Sequence, residues 1–248
     1  MPGDAFRDGW MLAEAGEARI EKPAPRVAVI VALGVERACL RCAGPGIVVT
    51  QCGPGAARAA DAASRALGAG ARALVSFGLA GGVAADAAPG RLLLPRRIVT
   101  ASAESFEIEP GWHRRLAAAL AAELDVDDRP LLAADGVLAT PGEKRSAATL
   151  GAAGVDLESG GIAAAAARAS VPFAAIRAVA DGPDDRLPPG VSGWVREDGE
   201  TRLASVVEAA LNPGNWAPLW TLGRRYAAAR RTLERAARLL AHRDFLLA

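Results

Sequence analysis

The sequence is poor in the residues that most directly reveal a chemistry. Its 248 residues include two histidines, three cysteines and one tyrosine, and its formal net charge is only +1. A charge so close to zero gives no general attraction to nucleic acid, so no nucleic-acid partner is expected. No apolar run approaches the roughly 20 residues that a membrane-spanning helix needs. Residues 1–25 carry too many acids for a secretory signal, and a cytoplasmic protein is therefore the expectation.

The few cysteines leave one chemical alternative open. Cys39 and Cys42 form a CxxC motif, a spacing that occurs in redox and zinc sites. No second pair of ligands accompanies this motif, and His113 and His242 lie far away in the sequence. We therefore expect two small residues on one helix, with no metal and no cofactor. A redox or zinc site is kept as the alternative.

The two common nucleotide-binding motifs are also missing. The stretch SFGLAGG follows an apolar run, but it is neither GxGxxG with a suitably placed acid nor a Walker loop. Its glycines, Gly78, Gly81 and Gly82, would still allow the backbone of a loop to approach a ligand closely. Tight packing between a strand and a helix explains the same glycines equally well, so both interpretations stay open.

Strands and helices alternate along most of the sequence. Apolar runs such as RVAVIVAL (26–33), ARALVSFG (71–78) and VPFAAIRAVAD (171–181) are separated by alanine-rich helical segments. This alternation predicts an α/β protein, a three-layer α/β/α sandwich around a central mixed, largely parallel sheet. We expect residues 1–25 to form a loosely ordered extension and residues 26–248 to form a single domain with a C-terminal helical tail.

Three acidic residues fall at or just beyond the carboxyl ends of predicted strands. Glu36 follows the first strand, Glu158 follows the short strand in GVDLES, and Asp181 ends VPFAAIRAVAD. In open α/β sheets the ligand usually lies beyond this edge, so these residues are candidates for one active site. Each also has a simpler explanation: Glu36 as a surface acid, Glu158 as a helix N-terminal acid, and Asp181 as a turn or N-cap acid.

Five segments, in one order, resemble the nucleoside phosphorylase and nucleosidase superfamily. VIVALGVERACL is similar to the first strand and acidic loop of the methylthioadenosine/S-adenosylhomocysteine nucleosidases, and QCGPGAARAA to their GIG-type turn and helix. VSFGLAGGVAADAAPGRLLLP is similar to their TGxAGG segment, GVDLESGGIA to their VEMEA helix start, and AIRAVADG to their RAISD segment. The likeness spans roughly residues 26–182 and implies a phosphorylase/hydrolase-like fold that cleaves an N-glycosidic bond.

The resemblance implies roles for the matching residues. Asp181 would donate a proton to purine N7, Glu158 would accept the ribose 2′- and 3′-hydroxyl groups, and Glu36 would activate water. Leu157 stands where the family packs an apolar side chain on the sugar. These four residues form the implied catalytic and sugar-binding set.

Further substrate-binding positions are implied by the same match. Ser76 and Gly78 belong to the glycine-rich segment. Leu138 and Ala139 match the strand and loop whose backbone holds the purine, with Leu138 in place of an aromatic residue. The purine would therefore rest on an aliphatic side chain instead of an aromatic ring.

Phosphorolytic members of the superfamily hold phosphate with arginine and serine. Here Leu79 stands where such a serine would lie, and the glycine-rich segment contains no arginine. Arg37 and Arg58, near other glycine-containing turns, stay open as phosphate-binding residues. Hydrolysis is therefore the expected reaction, and phosphorolysis, with phosphate as a co-substrate, is the alternative.

The C-terminal part of the sequence is similar to the hopanoid-associated phosphorylase branch of the superfamily. That branch is implicated in releasing adenine from adenosylhopane, which gives ribosylhopane during hopanoid biosynthesis. The implied substrate is a nucleoside with a large apolar 5′ group. Trp194, Trp216 and Trp220 are candidates to line its apolar path or to rest on a membrane surface.

Assembly and alternative functions follow from the same resemblance. A homo-oligomer, with a dimer favoured, is implied by the family alone. The arginine-rich tail helix either packs on its own domain or docks at the inner face of the membrane. The alternatives to adenosylhopane cleavage are a methylthioadenosine/S-adenosylhomocysteine nucleosidase and a nucleoside-binding module without turnover.

Overall fold

The computed structural model describes residues 26–188, 193, 195–201 and 216–247. The expected N-terminal extension, residues 1–25, lies outside the described residues, as do Trp194 and the side chain of Trp216. Among the residues described, no helix is both long enough and apolar enough to cross a membrane.

Ten strands and six helices make up the described part of the chain. The strands are β1 (Val27–Val31), β2 (Ile47–Gln51), β3 (Leu74–Gly82), β4 (Leu92–Leu93), β5 (Arg97–Thr100), β6 (Ser105–Glu107), β7 (Val126–Asp127), β8 (Leu131–Ala133), β9 (Gly154–Asp156) and β10 (Phe173–Asp181). The helices are α1 (Gly34–Cys39), α2 (Ala56–Gly68), α3 (Pro110–Leu120), α4 (Pro141–Ala148), α5 (Ser159–Ala169) and α6 (Trp216–Leu240). A 3-10 turn, Ala241–Leu246, follows α6.

All ten strands belong to one sheet. Along its main path the order is β6-β5-β8-β9-β3-β10-β4-β7, while β1 pairs with β3 and carries β2 on its other side. Six of the nine described strand pairs are parallel, and the pairs β3–β9, β4–β10 and β5–β6 are antiparallel. The prediction of a mixed, largely parallel sheet is therefore confirmed.

Helices cover both faces of this sheet. Helices α2 and α5 pack on each other and on one face, while α1, α3 and α6 form the opposite layer. The close approach of α2 to α5 depends on small residues, because a Cβ at Gly161 would collide with the backbone of Ala56. The predicted three-layer sandwich is thus confirmed, with its core formed by the buried strands and the apolar faces of these helices.

Strand β3 is longer than the sequence pattern predicts. The pattern predicts a loop after Gly78, but pairing with β10 and β9 continues through Gly81 and Gly82. Glycine is needed at position 78 because the Glu36 carboxylate and the Arg177 guanidinium occupy the space that a Cβ would take. The segment is therefore strand and not loop, and Gly78 allows the sheet to pack closely against these buried charges.

Helix α4 is absent from the pattern-based prediction because it has no clear apolar stripe. Its N-terminus nevertheless carries a reciprocal capping box, a recognisable sequence signal. The Glu143 N–H donates to Thr140 Oγ1 at 3.3 Å, and the Glu143 carboxylate accepts from the Thr140 N–H at 2.8 Å. Pro141 occupies the first helical position, which suits proline. This helix carries Lys144 towards the carboxyl edge of the sheet.

One side of the long helix α6 packs on its own domain. The Thr232 hydroxyl on this side donates a hydrogen bond to the Gly90 carbonyl oxygen at 2.6 Å. Fully buried apolar residues follow the same side, namely Ala229, Leu233, Ala236, Ala237 and Leu240. Trp220, by contrast, is 65% exposed, with the Arg224 guanidinium 4.7 Å from its ring centre. The tail helix therefore packs on its domain along this side.

Candidate active site

A cavity of about 460 Å³ opens where the carboxyl ends of β1, β3 and β10 meet. Four acids line it, namely Glu36, Asp156, Glu158 and Asp181. The other lining residues in the described part of the chain are apolar residues and glycines, so no described lining residue is cationic. The fold thus brings the three acids predicted from the sequence to one cavity and adds a fourth.

Glu36 lies in the first turn of α1 and is only 2% exposed. Its carboxylate accepts hydrogen bonds from the backbone N–H groups of Ala32 and Leu33, each at 2.9 Å, and of Leu79 at 2.8 Å. Burial raises the pKa of Glu36, while Arg177 and the backbone donors oppose the rise. The interpretation of Glu36 as a surface acid is therefore wrong.

Glu158 immediately precedes α5, but its side chain does not cap that helix. Its carboxylate accepts a hydrogen bond from the Gly55 N–H at 3.0 Å and lies 3.6 Å from Arg177 Nη2. The Asp156 carboxylate instead accepts from the Ser159 N–H at 3.2 Å, at the start of α5. Burial raises the pKa of Glu158 to about 7, against the opposing effect of Arg177. Glu158 is therefore left to face the cavity.

Asp181 is the last residue of β10 and forms a buried ion pair with Lys144. The turn that follows is held by a different acid, because the Asp185 carboxylate accepts from the Gly182 N–H at 2.7 Å. Burial raises the pKa of Asp181, and the neighbouring Lys144 ammonium opposes this rise. The turn-forming role thus belongs to Asp185, and Asp181 is left at the cavity wall.

Arg177 is a buried cation that the sequence-based prediction of site residues omits. It lies on β10, is 1% exposed, and its Nη2 is 2.6 Å from both the Asp156 carboxylate and Ser76 Oγ. Burial alone would lower the pKa of Arg177, but the surrounding carboxylates, that of Asp156 foremost, raise it. Its position in an otherwise apolar central strand is the signal for such a residue, since a buried charge needs partners.

Lys144 is a second buried cation that the prediction omits. No part of its side chain is exposed, although lysine is rarely buried without a partner. The capping box of α4 is the sequence signal for this helix, and Lys144 is one of the buried residues of the helix. Neither cation lines the cavity, but each forms an ion pair with an acid that does: Lys144 with Asp181, and Arg177 with Glu158.

The predicted substrate-binding residues fall into two groups. Leu138 and Leu157 line the cavity, together with Glu158. Ser76 and Gly78 are not among the lining residues: the Ser76 hydroxyl is fully buried, and Gly78 lies beneath the Glu36 carboxylate.

The backbone position predicted to hold the purine is engaged within the protein. Ala139 does not line the cavity, and its carbonyl oxygen accepts a hydrogen bond from the Leu187 N–H at 2.9 Å. The neighbouring Gly136 and Val137 do line the cavity. The wall next to Leu138 is therefore built by the residues that precede it, not by Ala139.

The candidate phosphate-binding arginines and the CxxC cysteines lie away from the cavity wall. Arg37 is exposed, and Arg58 pairs with Glu197 at 3.1 Å. Cys39 is buried and Cys42 is exposed, and burial raises the pKa of the Cys39 thiol to about 11. In the described part of the chain, no group of three or more histidine, cysteine, aspartate or glutamate residues is arranged to hold a metal ion.

Several solved structures share this fold. The S-adenosylhomocysteine nucleosidase of Streptococcus pyogenes, solved with 5-methylthiotubericidin, is 20% identical with a TM-score of 0.60 over 65% of this chain and 86% of its own. Futalosine hydrolase of Helicobacter pylori is 14% identical with a TM-score of 0.64 over 87% and 95%. The 5′-methylthioadenosine/S-adenosylhomocysteine nucleosidase of Neisseria meningitidis, solved with methylthio-immucillin-A, is 17% identical with a TM-score of 0.61 over 85% and 96%. At these identities the likeness establishes the fold.

The fold and the acidic cavity define the class of protein, an α/β/α sandwich with a cavity at the carboxyl edge of a largely parallel sheet. The family model described as the Phosphorylase superfamily matches residues 34–212. That match covers well over half of the chain, and the chain therefore belongs to the phosphorylase superfamily. A comparison with curated protein sequences gives no match.

Proposed function

We propose that the protein hydrolyses the N-glycosidic bond of an adenosine-type nucleoside and releases adenine. One observation carries this proposal: Glu36, Glu158 and Asp181 line a single cavity in which no described lining residue is cationic. Cleavage of this bond gives the sugar oxocarbenium character, and a wall of carboxylates stabilises such a developing positive charge.

Each acid has a part in this reaction. Asp181, whose pKa is raised by burial, donates a proton to purine N7, so that the C1′–N9 bond breaks and adenine leaves as a neutral base. Glu158 accepts the ribose 2′- and 3′-hydroxyl groups, and Leu157 packs on the sugar. Glu36, whose pKa is also raised by burial, takes a proton from the water that attacks the anomeric carbon. One proton is given and one is taken, and the second product is a free sugar.

The charge of the cavity supports hydrolysis over phosphorolysis. Phosphate is an anion, and proteins bind it with arginine, lysine or backbone N–H groups. The cavity has four acids and no cation among its described lining residues. Gly55 at the start of α2 directs its N–H to Glu158, and Arg58 is engaged by Glu197. A water molecule is therefore a better co-substrate for this cavity than phosphate.

We further propose adenosylhopane as the substrate, with ribosylhopane as the second product. The apolar lining of the cavity supports a nucleoside with a large apolar 5′ group, because Leu33, Val137, Leu187 and Val195 all contribute to its wall. Exposed Trp220 on α6 offers an apolar surface for the same hydrocarbon or for a membrane. The reaction needs no cofactor, and phosphate would enter only in the phosphorolytic alternative.

The test is a product analysis by liquid chromatography and mass spectrometry. Wild-type protein and Asp181→Asn are incubated with adenosylhopane or methylthioadenosine, each with and without phosphate. The proposal expects phosphate-independent release of adenine and ribosylhopane by the wild type, and almost none by Asp181→Asn. A phosphate requirement with a 1-phosphosugar product would replace hydrolysis by phosphorolysis.

The same assay distinguishes adenosylhopane cleavage from nucleosidase activity on a smaller substrate and from binding without turnover. Faster turnover of methylthioadenosine than of adenosylhopane would make the protein a methylthioadenosine nucleosidase. Binding of nucleoside without release of adenine would make it a binding module.

The cellular setting is proposed from the resemblance. The protein acts in the cytoplasm as a homodimer, with peripheral contact to the inner face of the membrane through its tail. Light scattering of the purified protein tests the dimer. Co-sedimentation with vesicles that contain hopanoid tests the membrane contact, and a monomer that stays in the supernatant would contradict both.

A further inference from the structure

Lys144 reaches Asp181 from a helix that contributes no residue to the cavity wall. Its Nζ donates hydrogen bonds to the Asp181 carboxylate, to the Gly182 carbonyl oxygen at 2.7 Å and to the Asp185 carbonyl oxygen at 3.1 Å. An ammonium group has three N–H donors, and all three have an acceptor here. A neutral amine would place a lone pair against one of these oxygens, so the contacts fit the charged form of Lys144.

These contacts leave the two carboxylate oxygens of Asp181 in different surroundings. Oδ2 accepts from Lys144, whereas no described residue donates a hydrogen bond to Oδ1. The segment behind the pair is itself held in place, because the Asp185 carboxylate accepts from the Gly182 N–H at 2.7 Å and pairs with Arg225 of α6 at 2.5 Å. One oxygen of Asp181 is thus fixed from behind, and the other is available to a ligand in the cavity.

We propose that Lys144 is a positioning residue for the general acid: it holds Asp181 Oδ2 so that Oδ1 carries the transferred proton, and its ammonium charge makes Asp181 a stronger proton donor. This inference rests on the proposed function of the cavity. In the step concerned, the Oδ1–H bond breaks, the proton moves to purine N7, and the electron pair of the C1′–N9 bond goes to the departing base. Asp181 becomes a carboxylate, which the Lys144 ammonium stabilises directly.

A purely structural role for Lys144 would give a different pattern of effects. Lys144 also ties α4 to the turn after β10 through two carbonyl oxygens, and loss of that tie alone would lower activity equally at every pH. An electrostatic role acts on the proton of Asp181, so its loss moves the pH dependence. The dependence of kcat/KM on pH therefore separates the two roles.

The first experiment measures adenine release by Lys144→Met and Lys144→Arg from pH 5 to pH 10. Activity needs protonated Asp181, so kcat/KM falls as pH rises through the pKa of this acid. Removing an opposite charge beside a carboxyl raises its pKa by about one to three units. In Lys144→Met the alkaline fall should move upward by about that amount, while kcat/KM at lower pH drops about ten- to a hundredfold. Lys144→Arg, which keeps the charge, should leave the alkaline fall near its wild-type position.

Two controls accompany this experiment. Arg145→Met removes the same charge from the next, exposed residue of α4, and should leave both kcat/KM and its pH dependence unchanged. Lys144→Gln, which keeps an N–H donor without the charge, replaces Lys144→Met if the latter does not fold. Reduced activity with an unmoved alkaline fall in both charge-removing variants would overturn the positioning role.

A second measurement does not depend on turnover. The carboxyl carbon of Asp181 is followed by 13C NMR through a pH titration of protein labelled at aspartate, and Asp181→Asn identifies the signal. The midpoint should be higher in Lys144→Met than in the wild type, and equal midpoints would overturn the electrostatic part of the inference. A shifted midpoint in a protein that cleaves no nucleoside would instead refute the proposed function and leave the coupling of the two residues established.

Discussion

The cavity has two buried cations behind its acids, and they are held in different ways. Arg177 lies on β10 among carboxylates and serine hydroxyls, with Asp156 at 2.6 Å and Glu158 at 3.6 Å. Lys144 comes from α4 and has one carboxylate, that of Asp181, and two carbonyl oxygens as partners. Neither cation lines the cavity. The cavity wall is therefore acidic, while the positive charges that pair with these acids lie outside the wall.

The acids that pair with Arg177 and the acid that pairs with Lys144 are in different electrostatic surroundings. The Arg177 side joins several carboxylates in one group, so the protonation of each depends on the others. On the Lys144 side, Asp181 is the one carboxylate that accepts from Lys144, and the neighbouring Asp185 carboxylate pairs with Arg225 instead. Such an arrangement suits a single proton transfer. The comparison predicts that changes on the Lys144 side act mainly on rate and on its pH dependence. Removal of Arg177 itself, which does not line the cavity, acts mainly on stability.

The largest effect is expected from Asp181→Asn. The amide cannot give a proton to the departing base, so kcat should fall by about two to four orders of magnitude. Initial rates of adenine release measure this loss. The matched control is Asp184→Asn on the same turn, whose side chain is exposed and whose rate should stay at the wild-type level. A variant Asp181→Asn of near wild-type activity would remove Asp181 from the role of general acid.

Arg177→Met should weaken the fold most. It leaves the Asp156 carboxylate buried without its cation, and removing one partner of a buried pair typically costs about 3–5 kcal/mol. Urea denaturation followed by circular dichroism measures the free energy of unfolding. Arg96→Met is the control, because it breaks an exposed arginine–aspartate pair, worth about 1 kcal/mol or less. Equal losses of unfolding free energy in the two variants would show that the buried Arg177–Asp156 pair contributes no more to stability than an exposed pair.

Glu158→Gln should stabilise the protein at alkaline pH while it impairs turnover. Burial raises the pKa of Glu158 to about 7, above that of an unfolded glutamate, so the folded state holds a proton that the unfolded state has lost. Stability therefore falls as pH rises from about 4.5 to about 7, and a neutral glutamine escapes this loss. The expected gain in unfolding free energy is about 1–3 kcal/mol at pH 8 and close to zero at pH 4.

Denaturation of the wild type and of Glu158→Gln at the two pH values checks this prediction. The same measurements on Glu143→Gln, an exposed glutamate whose pKa is lowered by its contacts with Thr140, should show no gain at pH 8. A glutamine variant at position 158 that is less stable than the wild type at pH 8 would contradict the raised pKa.

The acids at the strand ends could be predicted from the sequence, whereas the sequence gives only weak signals for the two buried cations that pair with them. Glu36, Glu158 and Asp181 follow apolar runs, and parallel strands bring such positions to one edge. Arg177 signals a buried charge by its position in an apolar run, but this position does not reveal which carboxylates are its partners. Lys144 is easily missed because α4 lacks the apolar periodicity on which helix prediction relies, and its capping box is the signal that remains. Pairing between distant buried charges is a property of the folded chain.

Leu138→Phe should have the smallest effect, and it tests whether the wall around Leu138 binds the base. Leu138 lines the cavity next to Val137 and packs against the apolar cluster that includes Leu132 and Val155. An aromatic ring stacks on a purine better than an aliphatic chain, by about 0.5–1.5 kcal/mol, so adenine should bind roughly two- to tenfold more tightly. Calorimetric titration with adenine measures the change, and Leu150→Phe, at an exposed position outside the cavity, is the control. Unchanged affinity in Leu138→Phe would place the purine against another part of the wall.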